Sequence, residues 1–438
     1  MNERIWDPYW ETIDRSSLRT HQEELLKEQV KKVFNKLPYY RRKMQEKGIS
    51  PEDIKSLGDL RLLPFTTKKD FMDNYPFGMF AVPLNEVVRV QGSSGTTTGK
   101  SSLAGYTRND LDTWSNLCAR LVTAAGVGPH DIAQVSFGYG LFTGGFGLHG
   151  GLERVGALVI PLSSGNTSRQ IKFMRDLKST ALISTPTYAL RIAEVMKEEG
   201  ITSGDLFLKW GLFGAEPWSE AIRRQLDQNL GLLATDNYGM SEVMGPGVSY
   251  ECLERKGMHI AEDHFIIEMI DPDTGEPVPE GGVGEIVLTT ITKEAVPVLR
   301  YRSRDLSRLL TEKCPCGRTS MRMEKVRGRT DDMLIVRGVN VFPTQIEGVL
   351  LAIEHTKPHY QIVLTKRGAL DDMEIQVEVT DEIFHDEMRK LKSLEEEIRT
   401  KLKNELNLDC HIKLVEPKSL ERFEGKARRV IDKRQESG

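Results

Sequence analysis

Gln91-Gly92-Ser93-Ser94-Gly95-Thr96-Thr97-Thr98-Gly99-Lys100 packs three glycines and five hydroxyl residues into ten positions. Such a run surrounds a small concavity with backbone amides and hydroxyl donors, and phosphate is the guest whose size and charge suit it. Composition alone also allows a flexible Gly/Ser surface turn. A Walker A loop needs G-x-x-x-x-G-K followed by Ser or Thr, and counting back from Gly99 puts Ser94 where the first glycine belongs. The flanks argue the same way, because apolar residues 87–90 and 103–107 read as two strands joined by the loop, whereas a Walker A loop opens a helix. A dinucleotide fingerprint fails too: in Gly138-Tyr139-Gly140-Leu141-Phe142-Thr143, threonine stands in the third glycine position.

Outward from the loop, short apolar runs at 87–90, 133–137, 157–160 and 181–184 alternate with helical stretches, which predicts an α/β fold with parallel strands. Before it, Leu25, Leu26, Val30, Val33, Phe34 and Leu37 recur at helical spacing among charges, so residues 17–48 are expected to be helical. After it the texture turns to strands at 265–270, 284–290 and 297–301, with an Asp-Thr-Gly turn at 273–275. Beyond residue 331, strands at 361–365, 374–379 and 412–415 with an amphipathic helix over 381–405 predict a small α+β unit. The expected organisation is an N-terminal domain over 1–330 and a C-terminal domain over 331–438. The first divides into a helical start (1–85), an α/β core (about 86–250) and a β-rich subdomain (about 251–330).

The 438 residues, 39% of them hydrophobic, are enough for two or three domains with a large core. With 60 basic and 64 acidic residues, no global field favours nucleic acid or an anionic membrane. The first residues lack the basic and apolar regions of a signal peptide, and no stretch reaches the roughly 18 apolar residues of a membrane span, so a cytoplasmic location is expected. Five cysteines favour thiols or metal ligation over a disulfide framework. Cys252 and His259 lie close in sequence, and Cys314-Pro315-Cys316 follows in a tight turn. Three thiolates and an imidazole make a tetrahedral zinc set, and ordinary reduced residues are the alternative. The set is expected in the β-rich subdomain, with a structural role. Cys118 and Cys410 have no partner in this scheme.

Four more motifs follow the loop in order: Gly214-Ala215-Glu216, Asp236-Asn237-Tyr238-Gly239-Met240-Ser241-Glu242, Tyr301-Arg302-Ser303-Arg304-Asp305 and Gly328-Arg329-Thr330-Asp331-Asp332, with Gly425-Lys426 near the C-terminus. The series resembles the adenylate-forming enzymes, the superfamily of acyl-CoA synthetases, luciferases and nonribosomal adenylation domains. The segments 137–145, 242–247 and 337–347 look closely like the phenylacetate-CoA ligases within it.

That resemblance implies that Ser93, Ser94, Gly95, Thr96, Thr97, Thr98, Gly99 and Lys100 hold the ATP phosphates. Gly214, Ala215 and Glu216 would border the adenine, with Tyr238 stacked on it, Asp236 and Asn237 beside it, and Gly239, Met240 and Ser241 completing the motif. Asp305 would accept the ribose hydroxyls, Arg329 support the nucleotide, Glu242 bind magnesium, and Asp331 serve as the hinge of a mobile C-terminal domain. Lys426 would bridge the carboxylate and the α-phosphate. Glu421-Arg422-Phe423-Glu424 precedes it where many relatives carry proline and serine. Phe137, Tyr139, Phe142 and Pro246 are the expected aromatic slot, with Gly140, Gly144 and Gly145 leaving room for an aryl ring.

The implied reaction is formation of an acyl-adenylate from ATP and an aromatic acid, phenylacetate first, then transfer to CoA. Alternatives are an indolyl, hydroxylated or benzoic acid, a carrier-protein thiol as acceptor, or a non-catalytic nucleotide sensor. Retention of Glu242, Asp305 and Lys426 together speaks against the sensor. A homodimer is expected from the same resemblance.

Overall fold

The computed structural model describes residues 4–92, 102–337, 339–367, 370–384, 388–423 and 429–434, with the backbone alone for Arg367 and Leu370. The phosphate loop Ser93–Lys100 and the Gly425-Lys426 pair lie outside the described residues. The fold is α/β.

Helix Arg15–Lys36 starts where the Asp14 carboxylate accepts from the amides of Ser16 and Ser17. Leu18, Gln22, Leu26, Gln29, Val30 and Val33 form its buried stripe at three- and four-residue spacing. Pro38 opens the next helix, Pro38–Glu46.

The core is a nine-stranded sheet. Strands Leu158–Ile160, Ile132–Val135, Ala181–Ser184, Trp210–Gly214 and Leu233–Met240 run parallel in that spatial order. The helices Thr143–Val155, Thr167–Asp176, Pro186–Glu198 and Glu220–Leu230 alternate with them along the chain. All four residues of Ala181–Ser184 are buried, as expected of a strand covered on both faces. Beyond Leu233–Met240 the sheet turns antiparallel through Gly245–Glu251, Met258–Ile260, Arg322–Met323 and Leu309–Leu310.

A second, four-stranded antiparallel sheet orders Phe265–Ile270, Gly284–Thr290, Tyr301–Ser307 and Gly328–Arg329. Strands within 251–330 are therefore shared between two sheets, and the boundary drawn at 251 does not separate them. The strand expected over 297–301 begins only at Tyr301. Side chains satisfy the amides before it: Val298 and Arg300 donate to the hydroxyls of Thr290 and Thr289 at 2.9 Å, and Leu299 to that of Tyr40 at 3.0 Å.

The hairpin Leu334–Val336 and Val339–Val341 leads into helix Pro343–Leu350 and a four-stranded sheet of His411–Val415, Leu370–Val379, Thr356–Arg367 and Val430–Asp432. The helix expected over 381–405 is described as Asp381–Phe384 and Met388–Leu406, the latter burying Leu394, Ile398, Leu402 and Leu406 at four-residue intervals. This unit has a hydrophobic cluster of its own, from Leu334 to Ile412. Among the described residues no helix is long and apolar enough to cross a membrane.

Candidate active site

A cavity of about 730 Å³ opens at the carboxyl ends of the parallel strands, where open α/β sheets bind their ligands. Strand Trp210–Gly214 delivers Ala215 and Glu216 to its wall, and strand Leu233–Met240 delivers the stretch from Asp236 to Met240, followed by Ser241 and Glu242. Two motif glycines have steric reasons. A side-chain carbon on Gly239 would fall 1.8 Å from the Gly245 carbonyl of the paired strand, and one on Gly214 would fall 2.6 Å from that of Asn237. Ala215 takes a left-handed backbone (φ 72°), turning the chain so that Glu216 reaches the start of helix Pro186–Glu198, where its Oε1 accepts from the Thr187 amide at 2.8 Å.

Three motifs distant in sequence meet at Asp305. The Tyr238 hydroxyl donates to its Oδ2 and Arg329 Nη1 to its Oδ1, both at 2.8 Å. Arg329 then spans both oxygens of Asp331, at 2.9 and 3.0 Å. Register places the Asp305–Arg329 contact, since the two residues pair directly across strands Tyr301–Ser307 and Gly328–Arg329.

Asp236 behaves differently. Burial pushes its carboxyl up to about 6, against the pull of Lys325 Nζ 4.0 Å away. Glu242 is 6% exposed and lines the cavity, and no hydrogen bond or ion pair among the described residues occupies its carboxylate.

Phe137, Phe142 and Pro246 line the same cavity, with the two phenyl rings 5.9 Å apart. Tyr139 does not: it packs edge-on to Phe146 and its hydroxyl pairs with His149 Nδ1 at 3.0 Å. The glycines of this segment also have another reason than the one expected. The space at Gly144 is taken by the Phe142 ring, 2.6 Å from where a side chain would start, and that at Gly145 by the Gly138 carbonyl at 3.0 Å. At these two positions the protein's own atoms take the space, although Gly144 lines the cavity, and a side chain at Gly140 would meet nothing within 4 Å. The flanks of the phosphate loop pair as strands Arg89–Gly92 and Leu103–Tyr106, and Gly92 donates to the Leu141 carbonyl at 2.8 Å, so the base of the loop abuts this aromatic segment.

Sequence reasoning missed Thr67, Lys68 and Lys69, which line the cavity from a helix start where Thr67 and Asp70 cap each other. The adjacent Thr-Lys-Lys run before a short helix was the available signal. It also missed a second cavity of about 830 Å³ where the C-terminal unit meets the sheet. There Glu347 takes Arg429 at 3.0 Å and accepts from the Ser219 amide at 3.3 Å. Ala215, Glu216, Arg329 and Asp331 border both cavities.

Cys252, His259, Cys314 and Cys316 converge outside both linings, their ligand atoms all within 4.8 Å of one another. They sit within residues 251–330, on the antiparallel wing of the nine-stranded sheet around strand Met258–Ile260. Sequence range alone could not tell which sheet each short strand joins.

The description "AMP-binding enzyme" matches residues 93–292, and "AMP-binding enzyme C-terminal domain" matches residues 338–434. The phenylacetate-coenzyme A ligase of Thermus thermophilus is 49% identical over 98% of this chain and 100% of its own; that of Pseudomonas putida is 47% identical over 98% and 97%. A crystal structure of 2-hydroxyisobutyryl-CoA ligase in the postadenylation state, in complex with R3-HIB-AMP, superposes with a TM-score of 0.93 at 28% identity, covering 99% of this chain and 93% of that one. The same enzyme with 2-HIB-AMP and CoA in the thioesterification state scores 0.73 at 29% identity over the same shares. The cavity-lining motifs, the matched family regions and the end-to-end relatives agree: this chain belongs to the AMP-binding, adenylate-forming enzymes, in the phenylacetate-coenzyme A ligase family.

Proposed function

We propose that the chain joins phenylacetate to CoA at the expense of ATP. The carrying observation is the Tyr238–Asp305–Arg329 chain on a cavity that also holds two phenyl rings and a buried carboxylate, Glu242, which has no hydrogen-bond or ion-pair partner among the described residues. A carboxylate oxygen of the acid attacks the α-phosphorus; the bond to the β-phosphate oxygen breaks and pyrophosphate leaves. The CoA thiolate then attacks the acyl carbonyl, and AMP leaves with the electron pair of the broken C–O bond. No side-chain nucleophile is needed.

Each described residue has a task that its surroundings support, and the resemblance assigns the rest. Tyr238 offers a flat face to the purine, Asp305 accepts the ribose hydroxyls, and Phe137, Phe142 and Pro246 enclose the aryl group. Ser93–Lys100 hold the phosphates, and Lys426 offsets the charge that develops at phosphorus, a contribution of roughly 3 to 4 kcal/mol. Glu242 fits magnesium, which takes one or two carboxylates beside phosphate oxygens and would neutralise the pyrophosphate. Residues 331–438 act as a mobile domain hinged at Asp331. Their separate core supports this, as does the closer match to the postadenylation state than to the thioesterification state of a relative. ATP and CoA as co-substrates support a cytoplasmic location, and the family resemblance supports a homodimer.

The test is acid-dependent exchange of pyrophosphate into ATP across a panel of aryl acids, followed by AMP release with CoA, without it, and with a carrier protein. Strongest exchange with phenylacetate and CoA-dependent AMP release are expected. No exchange with any acid would overturn the reading. Lys426→Ala should lower exchange by about two orders of magnitude yet still turn supplied acyl-adenylate into thioester.

A further inference from the structure

Four metal-type ligands meet in a place the reaction does not use. Cys252 follows strand Gly245–Glu251, His259 lies in strand Met258–Ile260, and Cys314 and Cys316 come from the loop between Leu309–Leu310 and Arg322–Met323. Cys252 Sγ is 3.6 Å from Cys314 Sγ, and Cys316 Sγ is 3.3 Å from His259 Nε2. A disulfide would bring two sulfurs to about 2.05 Å. Ligands at zinc–sulfur and zinc–nitrogen lengths in a tetrahedron stand roughly 3.5 to 3.8 Å apart, close to what is found.

The surroundings are those of a built site. His259 is fully buried, and its Nδ1 is engaged by the Ser320 hydroxyl at 3.2 Å, which leaves Nε2 to face the sulfurs. Gly317 adopts a left-handed backbone (φ 91°) and donates to the Cys314 carbonyl, closing the turn that brings Cys314 and Cys316 to one side. A cation also faces the sulfurs. A dication with three thiolates and a neutral imidazole carries one net negative charge, and Arg318 Nη1 stands 3.6 Å from Cys316 Sγ. The other end of that guanidinium meets the buried Glu11 carboxylate at 2.5 Å.

We propose that Cys252, His259, Cys314 and Cys316 bind one zinc ion, which staples the antiparallel wing of the main sheet and, through Arg318 and Glu11, anchors the N-terminal segment. The three thiols release their protons to solvent as the metal binds. All four positions are filled by protein, so the ion has no open site for substrate and is structural.

Zinc should be counted by mass spectrometry on the full chain purified without chelator and dialysed; about one ion per chain is expected. Replacement with cobalt should give a sulfur-to-cobalt charge-transfer band and the strong visible bands of a tetrahedral centre. Cys316→Ser and His259→Ala should each cut the metal content to near zero, whereas Cys410→Ser should keep it whole. Stripping the metal from the unmutated chain should speed protease cleavage near Glu11. A folded, exchange-active chain that takes up no zinc, a cobalt spectrum without sulfur bands, or a Cys252–Cys314 disulfide in the isolated protein would overturn the proposal. Metal content is read apart from pyrophosphate exchange, so failure here leaves the ligase reading standing, and the reverse.

Discussion

Arg329 holds two aspartates at once: one guanidinium nitrogen donates to Asp305 at 2.8 Å while the other two clasp Asp331. The carboxylate proposed to meet the ribose and the residue proposed as the hinge are thus joined through one planar cation. Lysine keeps the charge but not the fork. Arg329→Lys should therefore raise the KM for ATP and slow both half-reactions by about 10- to 100-fold, the span of a charged hydrogen bond worth roughly 1.5 to 3 kcal/mol. Exchange kinetics at varied ATP, beside thioester formation from supplied adenylate, measure this. An unchanged KM would break the link between Asp305 and nucleotide binding.

Gly239 carries a sharper steric prediction. Its missing side chain is what lets the Gly245 carbonyl approach, and that neighbour is backbone, which cannot swing aside. Gly239→Ala should part strands Leu233–Met240 and Gly245–Glu251 at the point where Ser241 and Glu242 leave the sheet, destabilising the chain by about 3 kcal/mol. Urea denaturation reads the loss. A variant as stable as the parent would mean that the pairing relaxes freely.

These two cases also mark how far the sequence could be read. The motif strands were legible because buried parallel strands are short apolar runs that end at the site, and Gly239 and Asp305 were legible by motif. The meeting of Tyr238, Asp305 and Arg329 was not, since register across 24 residues is a tertiary fact. Residues 297–300 read as strand, yet the amides of Val298, Leu299 and Arg300 bond to the hydroxyls of Thr290, Tyr40 and Thr289. Gly144 and Gly145 looked like room for a ring and are room for Phe142 and Gly138. The Cys/His set was legible by residue type, its sheet was not, and Glu347 with Arg429 carried no local signal at all.

Lys293 gives a pH prediction. It is fully buried, 3.4 Å from Asp110 and over the Tyr106 ring, and burial lowers its ammonium from 10.5 to about 8. The unfolded chain thus binds the extra proton between about pH 8 and 10.5, so this group makes stability rise with pH through that window. Below pH 8 the full cost of the buried charge, about 3 kcal/mol, is present. Lys293→Met should remove that rise while Asp110 stays satisfied by the amides of Thr107, Glu294 and Ala295. Denaturant midpoints of both chains from pH 7 to 10.5 give the difference curve; parallel curves would refute the assignment.

Charged pairs join the C-terminal unit to helix Pro186–Glu198. Glu194, on helix Pro186–Glu198, meets His359 of strand Thr356–Arg367 and Arg422 at 3.5 Å, while Lys418 reaches Glu198 at 2.7 Å. Arg422 is itself held by both oxygens of Glu378, at 2.6 and 2.7 Å, so the cation is positioned before contact. Burial alone would raise the Glu194 carboxyl, but His359 and Arg422 outweigh it and bring it from 4.5 down to about 2. A depressed acid stabilises above its free value, so the contribution of Glu194 is lost as pH falls from about 4.5 towards 2. Because the orientation matches a postadenylation enzyme better than a thioesterifying one, loosening the latch should favour the second state. Glu194→Gln, removing about 1 kcal/mol, should shift the balance roughly fivefold. Pyrophosphate exchange should then fall relative to thioester formation from supplied adenylate at pH 7, with a matching change in small-angle scattering. If both half-reactions changed by the same factor and the scattering stayed fixed, these charges would be ordinary surface pairs.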